Sequence, residues 1–472
     1  MSSLIFSVSP SATSITEGGA ITFTVNLSSP YNAIERVNYD ITFSSADQSD
    51  FTGMQSYSGT LSFEPNQTTK SISFTTLDDQ LKEISEQFRF SLINVEEWTS
   101  ISDTAGSATI TILDNDTPAT TYIGRDFGSY TGTSKSDNLV VTSNFNSINT
   151  GKGDDVISLD TFNSNIDGGE GNDEITTLDP ISHSTINGGD GDDSINLNIS
   201  HSKVSGGNGI DSINLDASHT TVSGGDGNDL IIAEGNFLYL SGDVGDDIVR
   251  PKEVGFATID GGSGTDTIDF SQYENLGLGI KVNLNLKLIP IDIIGVSTIT
   301  NFENVIGTNL ADTITGNSSS NLLNGGGGHD TILSGSGGDL ILAGDGEDQI
   351  DGQAGTDTLT GGGGNDLFVF SSSKDLNKAL TKADTITDFT RGEDKIQLNF
   401  DSNTKVKGTQ TFNFIGSQLF SKKAGELRYT PTITDKDGTK YVFLQGDTNG
   451  DGNSDFAIKL LGVTSLVQSD FG

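Results

Sequence analysis

Aspartates that recur at a fixed spacing are the groups of this chain best suited to chemistry. They belong to a nonapeptide G-G-x-G-x-D-x-U-x, where U is apolar, which begins for example at Gly168, Gly188 and Gly206. Successive aspartates of this first block are mostly 18 residues apart. Weaker copies included, they are Asp137, Asp155, Asp173, Asp193, Asp211, Asp229, Asp247 and Asp266. One carboxylate therefore returns at an equivalent position in every period.

A second block of the same nonapeptide follows an interruption and is more tightly spaced. Its copies begin every nine residues, from Gly325 to Gly361. Alternate copies form two rows of aspartates, and Asn321 ends the shorter row. One row contains Asp312, Asp330, Asp348 and Asp366, and the other contains Asp339 and Asp357.

These periods predict the element that positions the aspartates. Each nonapeptide supplies one glycine-rich turn and one short strand, and two nonapeptides make one coil of a right-handed parallel β-roll. Equivalent residues of successive coils then lie about 4.8 Å apart, the distance between neighbouring strands. Apolar residues on either side of the turns, such as Ile175 and Ile166, would fill the interior. The motif occupies one edge of the roll in the first block and both edges in the second.

Stacked carboxylates at this distance require a cation between them. Two unit charges about 4 Å apart repel by about 4 kcal/mol at an effective dielectric constant of about 20. Ca²⁺ suits the gap because it accepts about six to eight oxygen ligands and tolerates irregular geometry. The alternative, a calcium-free β-solenoid with acidic turns, leaves the repulsion uncompensated.

The two blocks resemble the calcium-binding nonapeptide repeats of the RTX (repeats-in-toxin) family. The resemblance covers residues 131–270 and 307–370. It implies that each ion lies between two successive turns on one edge of the roll. The aspartate at the sixth position would supply carboxylate oxygen, and the backbone of the turn would supply carbonyl oxygen.

Residues 1–117 have a different pattern, in which about seven short alternating segments predict an immunoglobulin-like β-sandwich. The segments EGG at Glu17, GTLSFEPNQTTKSI and SATITILDND resemble a Calx-beta domain. Gln80, Ile84 and Asn115 replace charged residues of that family, which indicates fewer ions or weaker binding. The alternative is a structural sandwich with solvated loop carboxylates. The calcium ligands that the resemblance implies are Glu17, Asp50, Asp78, Asp79, Glu83, Glu86, Asp114 and Asp116.

The remaining segments link or cap these parts. Residues 118–130 are predicted to be a linker, and residues 271–306 are predicted to link or cap the two repeat blocks. Residues 371–472 contain the segments DTITDFTRGEDKIQL, FNFIGSQLF, AGELRY and GDTNGDGNSDFAIKLLG. Through these segments they resemble the C-terminal region of serralysin-type secreted proteins, and they are predicted to form a β-rich cap.

The C-terminal region also contains a second type of candidate calcium site. Its sequence D-x-N-x-D-G matches the first half of an EF-hand loop, but Ile458 occupies the position of the last glutamate. The candidate ligands are Asp447, Asn449, Asp451 and, in place of the glutamate, Asp455. The final residues LVQSDFG resemble the export signal read by type I secretion systems of Gram-negative bacteria.

Composition and missing motifs exclude several function classes. The net charge of −40 opposes nucleic-acid binding, and no apolar run is long enough to span a membrane. Cysteine is absent, and the four histidines form no H-E-x-x-H motif. With no G-x-S-x-G motif either, the chain is predicted not to be an enzyme.

Three histidines recur with the period of the roll. His183, His201 and His219 are 18 residues apart and fall on the calcium-free edge of the first block. They would form either a strip that binds transition metals or responds to pH, or an exposed polar ladder, and we favour the ladder.

Together these features predict an all-β, secreted protein that binds several Ca²⁺ ions and folds on them outside the cell. We expect a non-catalytic component of the cell surface, the matrix or an adhesion system. The alternative is a non-catalytic part or relative of an RTX toxin or secreted hydrolase.

Overall fold

The computed structural model describes residues 4–44, 51, 58–77, 86–95, 99–113, 120–273, 277–286, 288–291, 295–406 and 410–472. The chain divides into two compact units, Met1–Thr120 and Thr121–Gly472. Apart from two short 3-10 turns, Leu380–Lys382 and Gln468–Asp470, the regular elements of the described residues are all β-strands. None of those residues forms a helix long and apolar enough to cross a membrane. The predicted all-β class is confirmed.

The first unit is a β-sandwich of two sheets. Alternate side chains of its strands point inward, and Phe23 and Phe90 stack there with ring centroids 4.4 Å apart. The predicted immunoglobulin-like sandwich is therefore confirmed. In order, one sheet contains Thr69–Thr75, Ala20–Leu27, Leu4–Pro10 and Thr99–Ile101, and the other contains Ser14–Thr16, Ser107–Leu113, Glu86–Val95, Glu35–Phe43 and Ser58–Phe63.

The second unit is a β-roll with two walls of mostly parallel strands, here called face A and face B. Isoleucine, leucine and valine side chains fill the interior, where Ile175, Ile166 and Ile195 are almost fully buried. Neighbouring strands of face A are in register at one coil, as in the pairing of Ile195 with Ile213. The predicted roll is confirmed.

Face A is the longer wall. Its strands are Thr120–Ile123, Asn138–Val141, Val156–Leu159, Glu174–Thr177, Ile181–Ser182, Ser194–Ser200, Ser212–Ser218, Leu230–Asn236, Ile248–Gly255, Thr267–Asp269, Asn304–Ile306, Leu322–Gly327, Leu340–Asp345, Thr358–Gly363 and Asp384–Ile386, and the sheet ends with Asn413–Phe414, Glu426–Tyr429, Ile433–Thr434, Lys440–Asp447 and Phe456–Leu461.

Face B forms the opposite wall. Its strands are Ser129–Thr131, Ser147–Asn149, Asn165–Glu170, Thr185–Asp190, Lys203–Asn208, Thr221–Asp226, Tyr239–Val244, Thr258–Ser263, Lys281–Asn283, Leu288–Ile291, Gly295–Thr300, Thr313–Thr315, Thr331–Leu333, Gln349–Asp351, Leu367–Phe370 and Lys395–Leu398, and a separate pair of short strands contains Ser336–Gly337 and Ala354–Gly355.

The roll is continuous across residues 271–306. On face A, Thr267–Asp269 pairs directly with Asn304–Ile306. On face B, the segment adds three strands, of which Leu288–Ile291 runs antiparallel to both of its neighbours. The two repeat blocks therefore share one pair of walls.

The C-terminal region closes the end of the roll with antiparallel strands. Lys440–Asp447 pairs with Phe456–Leu461, which in turn lies parallel to Asp384–Ile386. The last residue is also held, because the Gly472 amide donates to the Ile396 carbonyl at 3.0 Å. This arrangement matches the predicted β-rich cap.

Candidate metal centre

The repeat aspartates stack at the corners of the roll, next to the start of each strand. The amide of Asp155 donates to Asp173 Oδ1 at 2.8 Å. The amide of Asp173 donates in the same way to Asp193 Oδ1 at 2.7 Å. One carboxylate oxygen of each aspartate therefore links its coil to the preceding coil, and the sequence period becomes a hydrogen-bonded ladder.

The other carboxylate oxygen has no protein partner at most corners. Burying an acceptor without a hydrogen bond costs about 1–3 kcal/mol, and more for a charged group. Such an oxygen is therefore a ready ligand for a cation. In the described residues, Oδ2 is buried without a hydrogen bond at Asp155, Asp173, Asp193, Asp211, Asp229, Asp247, Asp266, Asp330, Asp339, Asp348, Asp357 and Asp384.

Three corners at row ends differ because a threonine amide satisfies the second oxygen. The amide of Thr133 donates to Asp137 Oδ2 at 2.8 Å, and the amide of Thr308 donates to Asp312 Oδ2 at 2.6 Å. Thr390 makes the corresponding bond to Oδ2 of Asp394. Each threonine lies four residues before its aspartate, where the complete repeat has a glycine, such as Gly169 before Asp173. These end corners need an ion less than the interior corners do.

Glycine keeps a space open beside each free oxygen. A Cβ atom on Gly188 would lie 2.1 Å from Asp193 Oδ2 and 2.5 Å from the carbonyl oxygen of Gly206. The next residue, Gly189, has a φ of +130°, which side chains rarely adopt. A carboxylate oxygen and a carbonyl oxygen of the following coil therefore flank a cradle that any other residue would fill.

Burial makes these carboxylates poor anions when no cation is near. It raises the pKa of Asp173 to about 8 and that of Asp193 to about 7, and neighbouring carboxylates add to the effect. Burial also raises the pKa of Asp384 to about 8. A bound cation would reverse this preference, because it favours the charged form.

The donor set fits calcium. In the described part of the chain, no three side chains of Asp, Glu, His or Cys converge as a metal-binding group. An ion would therefore depend on carboxylates from successive coils and on backbone carbonyls, which are all hard oxygen donors. When bound, the ion supplies positive charge that neutralises the buried oxygens.

The structure extends both rows beyond the residues that the repeat identifies. The Asp357 amide donates to Asp384 Oδ1, and the Asp366 amide donates to Asp394 Oδ1, both at 3.0 Å. Glu303 likewise receives the Asp266 amide at 3.0 Å. The sequence signal that could have identified Asp384 and Asp394 is the D-x-U end of the nonapeptide without its glycines, as in Asp384-Thr-Ile.

The rows belong to two edges, which we name by the wall that follows them. The A edge precedes face A and runs from Asp137 to Asp266, then through Glu303 and Asn321 to Asp384. The B edge precedes face B and carries the row from Asp312 to Asp394. Asn321 keeps the ladder intact, because its amide donates to Asp339 Oδ1 at 2.9 Å.

In the first block the B edge carries an exposed stack of rings instead. His183, His201 and His219 lie face to face, with centroids 5.2 Å and 4.7 Å apart. The stack continues to Phe237 at 4.7 Å and from there to Phe256 at 5.2 Å. The favoured interpretation of an exposed ladder agrees with this arrangement, although the phenylalanines were not anticipated.

The Calx-beta candidates are only partly within the described residues. Glu17 and Glu86 approach the same end of the strand Ser107–Leu113, since the Glu17 amide donates to the Leu113 carbonyl and Glu86 pairs with Ile112. The calcium site predicted there stays a prediction. The other candidates, Asp50, Asp78, Asp79, Glu83, Asp114 and Asp116, lie outside the described residues.

Two carboxylates of the EF-hand-like loop already accept hydrogen bonds from within the loop. Asp447 accepts hydrogen bonds from the amides of Gly450 and Gly452. Asp455 accepts the Thr448 amide at 2.8 Å and the side chain of Asn449 at 2.7 Å. Asp451 is exposed. This loop lacks the free buried oxygens of the repeat corners, and calcium binding there stays a prediction.

Comparison with protein families confirms the three sequence resemblances. The Calx-beta domain model matches residues 2–116, and the RTX calcium-binding nonapeptide repeat matches residues 131–164 and 183–201. The model of the peptidase M10 serralysin C-terminal region matches residues 250–472. No curated protein matches the chain.

Several solved structures are similar to parts of the chain. The apo form of the Calx CBD1 domain is 23% identical over 24% of this chain and 99% of its own length, with a TM-score of 0.21. The AlgE6R2 subunit of the Azotobacter vinelandii mannuronan C5-epimerase is 25% identical over 34% and 91%, with a TM-score of 0.20. The extracellular lipase LipA from Serratia marcescens is 18% identical over 53% and 39%, with a TM-score of 0.16.

Proposed function

We propose that this chain, which joins a Calx-beta domain, RTX repeats and a serralysin-type C-terminal region, is a secreted protein that folds when it meets calcium outside the cell. The observation that carries the proposal is the series of buried aspartate oxygens without a hydrogen bond. A folded roll needs a compensating cation at the corners where the second carboxylate oxygen is buried and unpaired.

The free-energy balance explains the dependence on calcium. Without the ion, the corner carboxylates must either take up protons or remain buried and charged, and the net charge of −40 adds general repulsion. When the ion binds only the folded chain, its binding free energy becomes folding free energy. Extracellular calcium sites typically have dissociation constants of about 10⁻⁴ to 10⁻³ M, so the roll would fold outside the cell and stay unfolded in the cytosol.

The residues proposed as ligands act in pairs from successive coils. At an interior corner, Asp173 and Asp193 would supply carboxylate oxygen. The Gly188 carbonyl, in the turn that precedes Asp193, would supply backbone oxygen. The Calx-beta carboxylates and the Asp447 loop are proposed as additional calcium sites. The Calx-beta match supports the first site, and the D-x-N-x-D-G sequence supports the second, although that loop has no free buried oxygen.

Export is proposed to precede folding. The tail that resembles a type I secretion signal is held in the folded roll, where Phe471 lies against Phe414 with ring centroids 4.9 Å apart. An unfolded chain at low calcium would present this tail freely to a secretion apparatus of a Gram-negative bacterium. The proposed location is therefore the cell exterior or the cell surface.

The biological role is proposed to be non-catalytic. The sequence contains no recognised catalytic motif, and repeated strands with acidic corners suit a structural or adhesive role at the cell surface or in the matrix. The second candidate, a non-catalytic part or relative of an RTX toxin or hydrolase, is favoured only by the serralysin C-terminal match. A lytic and hydrolase assay on the calcium-loaded chain separates the two.

Calcium titration of chelator-treated protein, followed by circular dichroism and calorimetry, tests the proposal. We expect a cooperative gain of β-structure that a chelator reverses. Asp193→Asn should weaken the response, because it replaces a free carboxylate oxygen by an amide. Asp137→Asn is the matched control, because the Thr133 amide already satisfies that corner. Identical spectra with and without calcium would reject the proposal.

A further inference from the structure

The outer side of face A contains a polar groove that is lined by none of the corner aspartates. A shallow cavity of about 270 Å³ extends from Thr176 to Lys252. A larger cavity of about 1030 Å³ continues from it to Tyr273. Glu234 and Lys252 line both cavities, so the two form one groove that crosses successive strands. Thr308, which donates to Asp312 at a corner of the B edge, lies at the far end of the larger cavity.

The shallow part of the groove repeats with the coils. Thr176, Asn196 and Asn214 are in register on neighbouring strands, and Asn214 Nδ2 donates to Asn196 Oδ1 at 3.1 Å. Asp216 and Glu234 continue a second line alongside them. Hydroxyl, amide and carboxylate groups therefore recur about every 4.8 Å along the roll. A ligand that itself repeats can meet equivalent groups at successive coils.

The deep part forms where the repeat is broken. The pairing of Ile248–Gly255 with Leu230–Asn236 shifts register between Ala233 and Gly235, as in a β-bulge. Bulges often occur next to binding sites, where they redirect side chains. The cavity of about 1030 Å³ beside this bulge also gathers polar side chains, among them Lys252 and Glu253. Tyr273 lies at its wall, where its ring packs edge-on against Phe270 at 5.9 Å.

The lining chemistry selects the ligand class. Three carboxylates, Asp216, Glu234 and Glu253, outnumber the one cation, Lys252, so an anionic ligand would be repelled. Polar side chains predominate in the shallow part of the groove, which disfavours a lipid there. Carboxylates, amides and hydroxyls accept and donate the hydrogen bonds that sugar hydroxyls make. Burial and Glu253 raise the pKa of Tyr273, which keeps its hydroxyl protonated as a donor.

We propose that the groove binds an extended, uncharged polysaccharide chain that lies across the strands of face A. The proposal deepens the suggested matrix role by naming a partner class, and it rests on the proposed function only in requiring a folded roll. The repeating amide line would follow the chain, and the Tyr273 ring would support a sugar ring at the deep end.

Native gel electrophoresis of the calcium-loaded full chain tests the proposal. The gels contain a soluble neutral polysaccharide, namely hydroxyethylcellulose, laminarin, dextran or galactomannan, and we expect at least one to retard the protein. Asn196→Ala with Asn214→Ala, or Tyr273→Ala alone, should weaken retardation about tenfold, the loss expected for one or two hydrogen bonds. Asn208→Ala is the control, because this exposed asparagine lies on face B.

The outcomes separate this proposal from the preceding one. Circular dichroism establishes for each variant that the roll is folded. A folded chain that none of the four polysaccharides retards overturns the groove proposal and leaves calcium-dependent folding intact. Retardation by polylysine alone also overturns it and indicates a cationic peptide ligand. Equal weakening by Asn208→Ala would reject the location. Retardation of a chain whose circular dichroism spectrum does not change with calcium would support the groove proposal and reject calcium-dependent folding.

Discussion

On both edges of the first repeat block, a side chain accepts a hydrogen bond from a backbone amide of the preceding coil, but the accepting group differs. On the A edge, the Asp155 amide donates to Asp173 Oδ1 at 2.8 Å. On the B edge, the Ser184 amide donates to Ser202 Oγ at 3.0 Å. The Ser202 hydroxyl then donates its own hydrogen to the Ser200 carbonyl at 2.7 Å, so this side chain both accepts and donates a hydrogen bond. The carboxylate has no hydrogen to give, and its second oxygen is unpaired.

This comparison separates the fold from its calcium dependence. Both edges let coils stack in register, and the isoleucine and valine interior is shared between them. Only the edge with a surplus acceptor needs an ion. The second block has aspartates on both edges, so it should depend on calcium more strongly than the first block.

Calcium removal should have the largest effect and should distinguish the blocks. As calcium falls, strands of the second block such as Leu340–Asp345 should lose amide protection before strands of the first block such as Ser212–Ser218. The physical reason is that free carboxylate oxygens lie on both of its edges. Hydrogen exchange read by mass spectrometry at stepped calcium concentrations measures this order. Earlier loss in the first block would contradict the comparison.

Acid should partly replace calcium in the metal-free chain. Burial raises the pKa of Asp173 to about 8 and of Asp193 to about 7, whereas an unfolded aspartate has a pKa of about 4. The folded state therefore binds more protons, and this stability is present below about pH 4 and lost as the pH rises through about 7 to 8. Circular dichroism of calcium-stripped protein should show more β-structure at pH 5 than at pH 8. With saturating calcium, protons compete with the ion and the trend should reverse.

Filling a single cradle should have an intermediate effect. Gly188→Ala places a Cβ against Asp193 Oδ2 and the Gly206 carbonyl, and we expect a loss of about 1–3 kcal/mol in stability with calcium present. Chemical denaturation measures the change. Gly338→Ala is the control, because its Cβ would meet its nearest neighbour, the Thr356 carbonyl oxygen, at 3.5 Å. Equal losses for both variants would show that the cradle is not the cause.

Deleting one B-edge hydroxyl should have the smallest effect. Ser202→Ala removes the acceptor of the Ser184 amide and should cost about 1 kcal/mol with or without calcium. Thermal unfolding at two calcium concentrations tests this equality. A loss that appears only with calcium would show that the B edge of the first block also binds the ion.

Much of the site could be read from the period, and the clearest case is Asp173. A spacing of 18 residues determines that its partner on the A edge is Asp155, so this contact was predictable. The sequence did not show which carboxylate oxygens stay unpaired, because that depends on whether the turn places an amide beside them, as it places Thr133 beside Asp137. The ring stack had a partial signal, since the histidines are periodic but Phe237 and Phe256 continue them with another residue type.

The sequence by itself determined the coil, the inward apolar residues and the aspartate corners, because a strict repeat dictates which residues meet one coil later. Tertiary structure alone decided where rows continue without the repeat. Asp384 meets Asp357 across 27 residues, and Glu303 meets Asp266 across 37. It also joined the two blocks through face A and opened the groove beside Tyr273. Contacts across such irregular gaps follow from how inserted segments pack, which no local period encodes.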